Sequence, residues 1–205
     1  MPESSPRLFL LSPAHSGGKR AELLLRGEAR FPLAERLRGP RGATLGEAFS
    51  FLSGLYFRGK LAYAREFARP PAGEAGAQVI TTNRGLLDAD SAVGSADLKG
   101  FGGVDIRPDE PRYRVPFERD LARLAGYPGL ELVLLGSIAT GKYVDVLLDV
   151  VGERLLFPTD FVGRGDMSRG ALLLRAVRER TELPYEPVAS ALRRGPRPRK
   201  AGANR

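Results

Sequence analysis

Four short apolar runs punctuate the chain, Leu8 to Leu11, Val79 to Thr81, Leu132 to Leu135 and Leu155 to Phe157, and each breaks into a segment rich in Gly, Ser or Thr. Continuous apolar runs of this length suit strands covered on both faces. Between them the spacing becomes helical. Phe57, Leu61, Ala64 and Ala68 keep that spacing within Leu45 to Ala68, where Gly54 and Gly59 argue against one unbroken helix. Pro116 suits a first helical turn, followed by Phe117, Leu121 and Leu124 on one stripe. Val144, Leu147, Leu148 and Val151 form the clearest helical stripe. In Met167 to Arg180, Leu173, Leu174 and Val177 point inward and arginines outward.

Strands alternating with helices predict an α/β fold, a mainly parallel sheet with flanking helices, in a single domain over residues 1–192. Leu86 to Arg112, rich in Gly, Asp and Pro, reads as a long excursion between the second and third strands. If the strands run parallel, the segments SPAHSGGK, TNRG, GSIATGK and PTDFVGRGD all fall at their carboxyl ends, where open α/β sheets bind ligands.

Composition narrows the chemistry. The 205 residues include no cysteine and one histidine, His15. Disulfides, thiolate metal sites, cysteine nucleophiles and multi-histidine metal sites are therefore excluded, and neither a metal nor a cofactor is expected. No apolar run approaches a membrane span, and Met1 to Pro6 is too short and polar for a signal peptide, so the expectation is a cytoplasmic protein with no membrane partner. The net charge is +8, and the six basic residues between Arg193 and Arg205 account for most of it. That segment, residues 193–205, reads as a disordered basic tail able to neutralise phosphates without sequence preference, or as a solubilising terminus.

In SPAHSGGK, paired glycines permit close backbone approach to an anion, with Ser12, His15 and Lys19 beside them; the alternative is a capped turn. GSIATGKY matches the phosphate-binding loop through Lys142 but carries Tyr143 where a magnesium-binding hydroxyl belongs, so anion binding survives and NTP hydrolysis does not. PTDFVGRGDMSRG brings together Asp160, Arg164, Asp166, Ser168 and Arg169, either for phosphate and sugar-cation chemistry or as a helix cap with paired arginines. Tyr56, Arg58, Lys60 and Tyr63 interleave aromatic and basic side chains, as a base-stacking surface or as a core margin.

SPAH after the first strand, NRGLL after the second, Gly136 to Tyr143 after the third and GRGDMSRGALLLR before the last helix together resemble the peroxide stress protein YaaA family and related domains found near DNA-modification and defence genes. The resemblance spans roughly Leu8 to Arg175, with His15 where the family often has lysine. It implies an α/β nucleic-acid-associated protein and, more distantly, cleavage of N-glycosidic bonds. That reaction needs a carboxylate and donors to the leaving base, but no metal. The expected roles are Asp166, with Asp160 as substitute, for the carboxylate and Asn83 for a base-reading amide. Ser12, His15, Lys19, Tyr56, Arg58, Arg84, Lys142, Arg164, Ser168 and Arg169 are expected to bind nucleic acid or phosphate. DNA or a nucleotide is the expected partner; a non-catalytic DNA-binding module and a nucleoside-acting enzyme are the alternatives.

Overall fold

The computed structural model describes residues 5–139 and 141–191, so the basic tail lies outside the described residues. In chain order the elements are β1 (Arg7–Leu11), α1 (Lys19–Leu25), α2 (Pro32–Arg38), β2 (Ala43–Thr44), α3 (Leu45–Ser53), α4 (Leu55–Phe67), β3 (Ala77–Ile80), β4 (Leu86–Asp88), β5 (Ala92–Val93), α5 (Ser95–Gly102), α6 (Pro111–Ala125), β6 (Glu131–Leu135), α7 (Gly141–Val151), β7 (Leu155–Pro158), α8 (Asp166–Glu179) and β8 (Tyr185–Pro187). The main sheet runs β4-β3-β1-β6-β7-β8. Its four central strands are parallel, and they are the four apolar runs. The edges β4 and β8 are antiparallel.

Alternation along β1 divides the interior in two. Phe9 and Leu11 face one core, shared with α1 to α4 and α8, whereas Leu8 and Leu10 face the other, shared with α6 and α7. The chain leaving β1 therefore turns to one face of the sheet and the chain leaving β6 to the other. A crevice opens between neighbouring strands where the connections diverge in this way.

The helical stretch Leu45 to Ala68 divides at Gly54, whose φ of 64° ends α3 and starts α4. Pro116 lies inside α6 rather than in its first turn, which belongs to Pro111, with Glu110 as the cap. The helix carries that internal proline because Tyr113, Phe117, Leu121 and Leu124 still bury one face. TNRG is a tight hairpin between β3 and β4. Asp120, buried in α6, accepts a hydrogen bond from the Leu86 amide at 2.9 Å and holds the hairpin down. The excursion after it contains β4, β5 and α5, too short or too polar to show as apolar runs.

One contact sets where α8 sits. A Cβ on Gly59 of α4 would lie 2.8 Å from the Gly170 carbonyl oxygen, and one on Gly170 would lie 2.9 Å from the Tyr56 Cα. The two helices thus touch backbone to backbone, which brings the first turn of α8 against Tyr56 and Lys60. Alanine normally favours a helix interior over glycine by about 1 kcal/mol. Gly170→Ala is nevertheless expected to lower the stability measured by urea unfolding by about 1–3 kcal/mol, because the added methyl must separate the helices. Gly165→Ala, with open space around its Cβ, should leave it nearly unchanged.

Candidate active site

At the carboxyl ends of β1 and β6 lie two adjoining hollows, of about 520 Å³ and about 310 Å³, which share Ser12, Pro13, Ala14, His15, Ser137 and Tyr143 as walls. Both volumes fall within the usual range for small-molecule sites. Thr82, Phe101 and Lys142 complete the larger hollow, and Tyr56, Lys60 and Asp166 the smaller.

Lys60 dominates the smaller hollow. It projects from α4 and is 1% exposed. Its Nζ donates to the Ser12 carbonyl oxygen at 2.6 Å and lies 2.9 Å from Ser12 Oγ. The rings of Tyr56 and Phe57 flank it at 4.5 and 4.8 Å. Among the described residues no carboxylate lies within ion-pair distance of Nζ. Loss of hydration pushes its pKa down to about 7; Asp166 draws it back up and Arg169 pushes it further down, both from α8. The amine therefore titrates near neutrality, which makes it available as a base or nucleophile.

Two phenols share this environment, and burial raises the pKa of both. Tyr143 lies close to the Ser12 side chain and the Ser137 backbone, both of which draw its pKa back down. Tyr56 is different: its hydroxyl is buried without a well-formed hydrogen bond, although the Arg169 guanidinium is close enough to favour its ionised form slightly. Buried Tyr63, by contrast, pairs with Tyr185 at 2.5 Å and accepts from the Leu183 amide. Tyr113 also lacks a partner, but it borders neither hollow. Tyr56, on the wall of the smaller hollow, thus carries a buried hydroxyl without a well-formed hydrogen bond.

Asp166 opens α8 at the mouth of the smaller hollow, with its side chain 73% exposed and 3.8 Å from Arg169 Nη1. Neither it nor Ser168 caps the helix, since the cap position is Gly165 and no side chain bonds there. The carboxylate thus pairs with Arg169 and is not used as a helix cap. Arg169 is committed: its Nε and Nη2 both donate to the Phe161 carbonyl, at 3.2 and 3.1 Å, tying α8 to the turn after β7. Arg164 likewise donates to the Asp160 carbonyl at 2.7 Å and to Ser168 Oγ at 3.2 Å.

Of the residues singled out from sequence, Ser12, His15, Tyr56, Lys142 and Asp166 converge on the hollows. Asp160, Lys19, Arg58, Arg164, Ser168 and Arg169 line neither. Arg84 pairs with Asp97 at 2.8 Å, and Asn83 borders a separate groove beside α6. In the Gly136 to Lys142 loop, the Ala139 amide serves Ser137 Oγ, so that donor is spent within the protein. Lys60 was legible only as part of an aromatic and basic run. Its burial on the inner face of α4, four residues after Tyr56, was the available clue.

Lys60 also makes a stability prediction. The unfolded chain holds its proton up to the ordinary 10.5, whereas the folded chain releases it near 7, so the unfolded state binds more protons between those values. Stability then rises with pH across that window, and the full penalty persists below it. Urea unfolding of the wild type should show this rise from about pH 7 to about pH 9, and Lys60→Met should flatten it. Arg169→Ala is expected to cost stability, about 1.5–3 kcal/mol for a hydrogen bond from a charged donor, in the same measurement.

No helix of the described residues is long and apolar enough to cross a membrane, and among them no three acidic or histidine side chains cluster as a metal site would require. Comparison of the chain with family models, curated proteins and solved structures finds no match.

Proposed function

We propose that this protein cleaves the N-glycosidic bond of a nucleotide unit, in DNA as the preferred partner. One observation carries the reading: a carboxylate not used to cap its helix, Asp166, faces a hollow of about 310 Å³ that also holds the unpartnered Tyr56 hydroxyl and the Lys60 amine. Breaking a C1′–N bond leaves the electron pair on the base and positive charge on the sugar. An anionic group stabilises that sugar cation or activates the water that adds to it, while donors protonate the departing base. Asp166 suits the first role. Tyr56 and the protonated fraction of Lys60 suit the second.

A nucleotide in a duplex must be extruded before such a pocket can receive it. The position of the hollows at the open carboxyl edge of the sheet favours this, as do exposed His15 and Lys142 on the walls of the larger one. The order of the motifs, with its likeness to the peroxide stress protein YaaA family, points the same way.

The decisive experiment incubates the protein with oligonucleotides bearing modified and damaged bases, and with free nucleosides, then measures released base. The expected result is release from an oligonucleotide, reduced on the order of a hundredfold or more in Asp166→Asn with thermal stability unchanged. Release from nucleosides alone would reassign the substrate, and release from neither would overturn the reading.

A further inference from the structure

We propose that Lys60 is an amine nucleophile that condenses with the sugar aldehyde left after base release, holding the product as an imine within the smaller hollow. The proposal rests on the base-release reading for its substrate.

The position of Lys60 is costly for a lysine and unsuited to a purely structural one. Its Nζ lies over the Tyr56 and Phe57 rings, where methionine or leucine would pack without desolvating an amine. Two other buried polar groups have structural tasks that explain them: Asp120 pins the hairpin, and Thr81 closes it through a 2.8 Å bond to the Gly85 carbonyl. Lys60 instead borders a cavity, beside a phenol with no well-formed hydrogen bond and with Asp166, a carboxylate that caps nothing and pairs with Arg169 at 3.8 Å, on the same wall. Buried, uncompensated lysines of this kind are the ones that serve as Schiff-base formers.

The surroundings also supply the proton transfers. In neutral form Nζ still donates one hydrogen to the Ser12 carbonyl, 2.6 Å away, and its lone pair is free to attack. The new N–C1′ bond forms as the carbonyl π electrons move to oxygen, which takes up a proton. The nitrogen then loses a proton, and a second proton reaches the hydroxyl, which leaves as water with its bonding pair while the nitrogen lone pair closes the C=N bond. Loss of the nitrogen's remaining proton gives the imine. Ser12 Oγ, 2.9 Å from Nζ, and Asp166 at the mouth are placed to pass these protons. The charged and titratable groups around the amine are Asp166 and Arg169 on α8, Tyr56 on its own helix, and His15 and Tyr143 on the walls of the hollow. Their combined effect with burial leaves a neutral fraction at physiological pH.

The test uses an oligonucleotide in which another enzyme has already made an abasic site, so that base release by this protein is not required. Wild-type protein is mixed with it in the presence of borohydride, which reduces the imine to a stable secondary amine, and the adduct is mapped by peptide mass spectrometry. The expected result is an adduct on Lys60 that forms half-maximally near pH 7, disappears in Lys60→Met and persists in Lys99→Arg, a change at an exposed lysine. A circular dichroism melt of Lys60→Met separates loss of the nucleophile from loss of the fold, and mapping in the wild type stands independently of any variant. No adduct, or an adduct mapped only to other lysines, would overturn the proposal. An adduct on Lys60 without base release would support it while removing the base-release reading; base release without an adduct would do the reverse.

Discussion

The backbone contact between α4 and α8 is the constraint on which the rest of this molecule depends. Gly59 and Gly170 let the two helices approach more closely than any pair of side chains would allow. That approach seals Lys60 beneath α8 and sets the amino end of α8, with Asp166, at the mouth of the same hollow. Arg169 secures the arrangement from the other side by gripping the Phe161 carbonyl. The stability of the helix pair and the chemistry of the cavity are therefore one problem, since anything that separates the helices rehydrates the amine.

Polar groups in the interior divide by how fully they are satisfied. At the amino ends of the strands Arg7 pairs with Glu131 and Glu182, both at 2.6 Å, while Tyr63, Tyr185 and the Leu183 amide complete one another's bonds. At the carboxyl ends the bonding is incomplete: Tyr56 has no well-formed partner, and Lys60 has no counter-ion within reach among the described residues. Desolvated donors without partners destabilise a fold. Buried Arg69 Nε beside Arg7 and the Tyr113 hydroxyl also lack partners, but neither borders a hollow; Tyr56 and Lys60 do, at the divergence of the β1 and β6 connections, and that juxtaposition is what marks a site.

The near-match to a phosphate-binding loop shows how one substitution redirects a motif. With Tyr143 in the position of a small hydroxyl residue, the phenol folds back toward Gly136 and Ser12, close to the Ser137 backbone. What remains of the anion site is the exposed cation of Lys142 on the wall of the larger hollow. The loop thus contributes a wall and a charge to the cavity.

Sequence alone determined the frame: the four parallel strands, the stripe of α7, the inward face of α8 and the gathering of polar segments at one sheet edge all follow from periodicity, because strands buried on both faces and helices buried on one leave those patterns. It also identified Asp166, Ser12, Tyr56 and His15 as candidates through residue type and local context. Only the tertiary structure decided what each does. Asp166 and Ser168 read equally well as helix caps until the cap proved to be Gly165. Arg164 and Arg169 read as phosphate clamps, yet both donate to backbone carbonyls. Edge strands β4 and β8, three residues each, left no apolar run to read. Lys60 looked like one more basic residue on an amphipathic helix. A lysine's solvation, and with it its charge and reactivity, depends on what surrounds it, and here the Ser12 contact and the nearby charges of Asp166 and Arg169 come from segments far from it in the chain.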